Sequence, residues 1–273
     1  MGHRHKRDTL EEARRFLSIA PSAAIGDARP RNPRSRRPSG TPGAARRLFA
    51  VSRPVKGTVA ERYLQARGLH AVADLPALRF HPNCFYRPSK DDAPDTRAAW
   101  PALIAAVTDT AGTIVGAHRT WIDPVTLGKA PIATPRRAMG HLLGHGVRVG
   151  EAGPVMAAGE GIETVLSLRR VLPTMPMIAA LSSAHLGALE FPSRLRRLYV
   201  ARDNDRAGAA AIVRLADRAR ALDIDIDIIP LTPELVDHND DLRLLPPDAF
   251  ASRVARQLLP DEVARFLISE FDF

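Results

Sequence analysis

The sequence predicts an α/β protein: a mostly parallel sheet flanked by helices, preceded by a smaller α+β domain. Three observations carry this reading. Short apolar runs alternate with helical stretches throughout the second half. A hairpin pattern fills the middle of the first half. Acidic residues stand where the apolar runs end. Strands alternating with helices imply right-handed crossovers, and hence parallel neighbours.

Taken in order, "DTLEEARRFLS" at residues 8–18 reads as a short amphipathic helix, capped by Asp8 or Thr9, with Glu11 and Glu12 in its first turn. A proline- and glycine-rich basic arm follows, so residues 1–44 form a helix plus a flexible arm. A first domain spans 45–150. In it "TVAERYLQARGL" reads as a helix capped by Thr58 and ended by Gly68. Two β-rich runs flank the turn "DTAG", which signals a hairpin. The α/β domain spans 151–245. "PVMAAGE", "MIAAL", "RLYVARDND" and "DIDIDIIP" read as its strands; "GIETVLSLRRVL", "AHLGALEFP" and "RAGAAAIVRLADRARAL" read as helices between them. Residues 246–273 read as one or two helices and an acidic-aromatic tail.

Composition narrows the function classes. The chain has 273 residues, 45% of them apolar, enough to bury a substantial core. Its single cysteine, Cys84, excludes an internal disulfide and a multi-cysteine zinc site, and fits a reducing, cytoplasmic setting. No apolar run approaches a membrane span, and the first residues lack the apolar core of a signal peptide. Aromatics are only 5%, so base stacking on aromatic platforms has few candidates. The net charge is +9, and the acid-free stretch from Ala28 to Ala60 alone holds nine basic residues. Such a stretch suits phosphate binding by counterion release; a solvated linker is the plainer alternative.

Three acidic clusters fall at strand ends, where an open parallel sheet places its functional crevice. Glu160 ends the first strand, Asp203 and Asp205 end the third, and Asp237, Asp240 and Asp241 follow the fourth. Any one of these is ordinarily a helix cap. Together they form a carboxylate set of the kind that holds Mg²⁺ or Mn²⁺ with substrate phosphates. Asp203 and Asp205 therefore read as metal ligands that also cap the long helix.

"AAGEGIETVLSL", "VARDNDRAGAAA" and "DHNDDL" resemble, in order and spacing, the three motifs of the topoisomerase-primase (Toprim) family, over roughly residues 153–243. The resemblance implies a domain that binds Mg²⁺ and acts on phosphodiester bonds. It implies Glu160 as general acid, general base or metal ligand, Asp203 and Asp205 as metal ligands, and Asp240 as the late acid with Asp237 close behind. "AERYLQARGL", "PALIAAVTDTAGTIVGAHRTWIDP" and "GKAPIATPRRAMGHLLG" are similar to the part of the bacterial primase core that precedes Toprim. That similarity implies Arg119 and Lys129 as basic contacts to template and nucleotide, with Arg136 and Arg137 as further candidates. Primases of this kind usually carry a zinc module, which Cys84 alone cannot build, and no phosphate-cradling helicase loop is present. Arg202, beside the DxD, reads as a partner of Asp205 or a grip on phosphate.

Weaker signals are read conservatively. His141 and His145 stand four apart, but nearby glycines oppose the helix they would need to share a zinc ion. His81 and Cys84 are half a zinc site. Ser182 and Ser183 read as a helix N-cap rather than a nucleophile. The expected function is a primase-like nucleotidyltransferase on single-stranded DNA with nucleoside triphosphates, with a helicase or other replication protein as a further partner. A metal-dependent nuclease and a non-catalytic nucleic-acid-binding accessory protein are the alternatives.

Overall fold

The computed structural model describes residues 40–267. The helix expected over 8–18, the basic arm up to residue 39 and the aromatic tail lie outside them.

The first described helix, α1 (Pro42–Val51), starts inside the stretch read as arm. Thr41 caps it, accepting from the Ala44 amide at 3.2 Å, and Pro42 occupies the first turn, where its missing N–H costs nothing. Helix α2 (Val59–Gln65) begins at Thr58, whose hydroxyl accepts from the Ala60 amide, and Gly68 beyond its end takes a φ of +72°. Four antiparallel strands follow: β1 (Leu78–Phe85), β2 (Ala99–Thr108), β3 (Ile114–Trp121) and β4 (Arg136–Gly140), in that spatial order. The β2–β3 hairpin is the expected one; the Asp109 carboxylate closes its turn by accepting from the amides of Ala111 and Thr113.

The second sheet contains β5 (Val147–Val149), β6 (Val155–Gly159), β7 (Met177–Ala179), β8 (Arg197–Ala201) and β9 (Asp227–Leu231). Its order is β5-β7-β6-β8-β9; the last four are parallel and β5 is an antiparallel edge. Helices α3 (Ile162–Val171), α4 (Ser183–Leu186) and α5 (Arg206–Ala221) connect the parallel strands. After β9 come α6 (His238–Leu244), α7 (Pro247–Ala255) and α8 (Pro260–Phe266). Pro230 sits in β9, the other edge, where a missing ladder donor is tolerated.

The expected boundary at residue 150 is not a boundary of the core. Leu103, Ala105 and Val107 of the first sheet share one buried cluster with Val147, Ala157, Met177 and Tyr199 of the second and Leu168 of α3. Strand β5, placed by sequence with the first domain, belongs to the second sheet because Val147 and Val149 bury in this cluster. Phe250, Val254 and Phe266 enter it as well, so the C-terminal helices are part of the same packing. The outer faces carry their own clusters. Ala45 of α1 packs with Cys84, Trp100, Ile104 and Trp121 on the first sheet. Ala211 and Leu215 of α5 pack with Met156, Ile178, Leu198 and Val200 on the second. Tyr199 and Arg197 of β8 pin α8 through Glu262, at 2.6 Å for the arginine, and Arg197 also pairs with Asp227 at 2.8 Å.

Candidate active site

Strand β6 is central; the chain crosses first to β7 on one side and then back to β8 on the other. This reversal opens a crevice beyond the carboxyl ends of β6 and β8. Gly159 pairs in register with Ala201, so Glu160 and Asp203 leave the sheet side by side. Each has one carboxyl oxygen, Oε1 and Oδ1, buried with no hydrogen-bond partner. Burial, with Asp203 and Asp205 nearby, pushes the Glu160 pKa up to about 7, although the Ser183 amide and Arg214 oppose it. Burial, with Asp237 and Asp205 nearby, pushes Asp203 up to about 6. Both carboxylates are strained as anions: Arg214 near Glu160 and Arg136 near Asp203 offset burial and mutual repulsion only in part.

They face a cavity of about 360 Å³. Asp237 and Asp240 of the α6 region line it, while Lys129, Arg136, Arg67 and Arg243 supply positive charge. Lys129, Arg136, Asp237 and Asp240 thus line one cavity with Glu160 and Asp203. Asp237 caps α6 by accepting from the amides of Asn239 and Asp240, and Asp240 lies 3.9 Å from Arg243.

Other expected residues sit elsewhere. Asp205 is exposed and caps α5, its Oδ1 accepting from the Gly208 amide at 2.7 Å; the cap is present, but the side chain does not line the cavity. Asp241 is fully buried and accepts from the amides of Glu234 and Leu235, which makes it a brace for the preceding loop and not a free acid. Arg119 pairs across strands with Ile104 and Arg137, on the face of the first sheet turned away from the acids. Its guanidinium lies 5.0 Å from the Trp121 ring, and that of Arg137 lies 4.7 Å from the Tyr86 ring. Strand alternation sends these two arginines outward and their neighbours His118, Arg136 and Ala138 inward, although Arg137 still lines a second cavity beside Glu160. Arg202 bonds the Thr232 hydroxyl and the Asp203 carbonyl rather than Asp205.

Sequence reasoning missed several cavity residues. Glu163, in the first turn of α3, accepts from the Tyr63 hydroxyl of α2 at 2.7 Å. Its burial would raise its pKa, but Tyr63, Lys129 and Arg136 hold it below the usual carboxylate value. The Arg67 guanidinium lies 4.4 Å from the Tyr63 ring. Thr164 and Asn239 complete the wall. The i, i+3 spacing of Glu160 and Glu163 was a visible signal; the Tyr63 contact, 100 residues away, was not.

The weaker signals resolve simply. His141 and His145 lie in the loop between β4 and β5, not on a helix, with His145 3.7 Å from Glu190. Cys84 is buried, and burial pushes its thiol up to about 11. Ser182 caps α4, accepting from the His185 amide at 3.2 Å. Among the described residues, no three or more His, Cys, Asp or Glu side chains converge as a ready-made metal site, and no helix is long and apolar enough to cross a membrane.

Residues 155–246 match the family described as Toprim domain. The chain carries a Toprim domain in a primase-like fold. Upstream of the Toprim domain, residues 39–149 match a family described as domain of unknown function (DUF7146). No curated protein matches the chain. Solved structures with a similar fold include a DNA primase domain from Pseudomonas aeruginosa, with 17% identity, TM-score 0.52, and 79% of this chain covering 78% of that one. The zinc-binding and RNA polymerase domains of Aquifex aeolicus primase give 14% identity and TM-score 0.51 over 93% of this chain and 67% of that one. The RNA polymerase domain of Mycobacterium tuberculosis primase DnaG gives 17% identity and TM-score 0.50 over 79% and 82%. The likeness therefore extends beyond the Toprim domain to the antiparallel sheet before it.

Proposed function

We propose that the chain is a primase-related nucleotidyltransferase that extends a nucleic-acid strand on a single-stranded DNA template. The observation that carries this reading is the pairing of opposites in one cavity: two carboxylates with buried, unpartnered oxygens face lysine and arginine side chains. A triphosphate needs the basic wall, and a divalent cation needs the acidic one.

The donor set fits Mg²⁺ or Mn²⁺. Hard cations take carboxylate oxygens, and Mg²⁺ commonly uses one or two of them plus substrate phosphates and water. Glu160 and Asp203 would hold it, with Asp237 and Asp240 next in reach of the same cavity. When bound, the ion supplies Lewis acidity to the attacked phosphate and lowers the pKa of an attacking hydroxyl. The chain's own groups have separate tasks. Lys129, Arg136, Arg67 and Arg243 bind and orient phosphate oxygens. Glu160 lines the same cavity and, where Asp203 holds the ion without it, can take a proton from an incoming hydroxyl. Glu163 and Tyr63 position the cationic wall. A helicase or other replication protein is the proposed source of template recognition.

The test incubates wild type and Asp203→Ala with single-stranded DNA and Mg²⁺ or Mn²⁺, with and without labelled nucleoside triphosphates. Triphosphate-dependent oligomers from wild type alone are expected. Shortened DNA without triphosphates would replace the reading with a nuclease. Equal DNA binding by both proteins, with no product, would replace it with an accessory role.

A further inference from the structure

A second cavity, of about 280 Å³, adjoins the first. The two share Arg136, Glu160, Gly161, Glu163, Leu181 and Ser182, so Glu160 stands on their common wall. The remaining linings differ in chemistry. The first cavity adds Lys129, two further arginines and three aspartates. The second adds His118, Arg137, Ala138, Ile162 and His185, with the Arg137 guanidinium 4.7 Å from the Tyr86 ring. The first cavity is the more highly charged; the second sets two imidazoles and the apolar side chains of Ala138, Ile162 and Leu181 beside two arginines and the shared glutamates. A nucleotide divides the same way, into charged phosphates and a nucleoside that needs apolar contact and a few placed hydrogen bonds.

His118 is the polar group best placed for that task. It projects from β3 on the face opposite Arg119, beside Ala138 of β4. It is only 9% exposed, and its Nδ1 has no partner. Burial pushes its pKa down to about 4; Arg136, Arg119 and Lys129 add to this, and Glu163 opposes it. The imidazole is therefore neutral at physiological pH and offers one donor and one acceptor. A buried polar atom left unpaired is unfavourable until something fills its valence.

We propose that the second cavity seats the nucleoside of the nucleotide whose phosphates occupy the first, and that His118 hydrogen-bonds its sugar hydroxyls. This rests on the reading of the first cavity as a phosphate site, and the test separates the two.

The full chain is titrated calorimetrically in Mg²⁺ with ATP, 2′,3′-dideoxy-ATP and inorganic tripolyphosphate, as wild type, His118→Leu and His118→Gln. Wild type is expected to bind ATP about fivefold tighter than dideoxy-ATP, the worth of one hydrogen bond. It is expected to bind both more tightly than tripolyphosphate. His118→Leu equalises ATP and dideoxy-ATP while leaving tripolyphosphate unchanged, and His118→Gln, which keeps a donor and an acceptor, restores part of the preference. Equal binding of ATP and dideoxy-ATP by wild type overturns the proposal, as does an unchanged ratio in His118→Leu. Tripolyphosphate binding as tight as ATP removes the nucleoside pocket and keeps the phosphate site. No binding of any probe to wild type removes both. Should His118→Leu fail to fold, the wild-type ratio and His118→Gln decide.

Discussion

Glu160 and Asp203 leave neighbouring parallel strands just beyond the shared rung Gly159–Ala201, and each keeps one carboxyl oxygen buried without a hydrogen-bond partner. Two anions held this way destabilise the fold that holds them, and that gives the site measurable signatures.

The first is pH-dependent stability. A carboxyl whose pKa is raised in the folded state binds its proton more tightly there than in the unfolded chain. Its contribution is favourable at low pH and is lost as pH rises, between 4.5 and about 7 for Glu160 and between 3.8 and about 6 for Asp203. Metal-free protein should therefore lose stability across that window, by on the order of 1 kcal/mol per group after solvent screening. Urea denaturation from pH 4 to 8 checks this. Glu160→Gln should flatten the upper part of the profile, and Mg²⁺ should stabilise wild type more at pH 8 than at pH 5.

Asp205 can be separated into cap and charge. Asp205→Ala removes the acceptor for the Gly208 amide and should cost about 1 kcal/mol of stability. Asp205→Asn keeps the cap and removes the charge that acts on Glu160 and Asp203. It should melt like wild type and lower the Glu160 pKa, read from the pH dependence of stability. Melting equal to that of Asp205→Ala would show that the carboxylate charge is needed at the cap.

Gly208 is fixed by proximity. A Cβ there would lie 2.6 Å from the Asp203 carbonyl oxygen. Alanine ordinarily favours a helix over glycine by about 1 kcal/mol. Gly208→Ala should instead destabilise the protein and displace Asp203, with metal affinity falling more than stability does. Calorimetry with Mn²⁺ beside a thermal melt compares the two.

Tyr63 and Glu163 tie the first helix pair to the Toprim domain. Tyr63→Phe leaves a half-buried carboxylate short of a partner and should cost about 1 kcal/mol. Tyr63→Phe with Glu163→Gln should cost less than the sum of the single changes, which a double-mutant cycle measures.

Much of this was legible because the Toprim half obeys local rules. Strand–helix alternation gave β6 to β9 with their connecting helices, and the ends of β6 and β8 pointed to Glu160 and Asp203. Parity was the signal left unused in the first sheet. Alternation along β3 and β4 puts His118 and Arg136 on one face and Arg119 and Arg137 on the other, so adjacent residues of similar chemistry have opposite destinations. Asp241 could not be told from Asp240 by type, because burial against the Glu234 and Leu235 amides depends on how the preceding loop folds back. The Tyr63–Glu163 bond and the placement of Arg67, just beyond α2, and Arg243 of α6 depend on packing between distant segments, which periodicity does not report.

Strand β5 has a consequence for dissecting the chain. It covers the edge of β7, whose residues Met177, Ile178 and Ala179 are all buried. A fragment cut at residue 150 would keep β7 and lose its cover, exposing a row of unpaired amides and carbonyls on an apolar ribbon. Such an edge recruits other chains. The Toprim half expressed from residue 151 should therefore self-associate into insoluble material; a fragment beginning before Val147 keeps that edge covered but still bares the apolar face that Leu103, Ala105 and Val107 cover in the full chain.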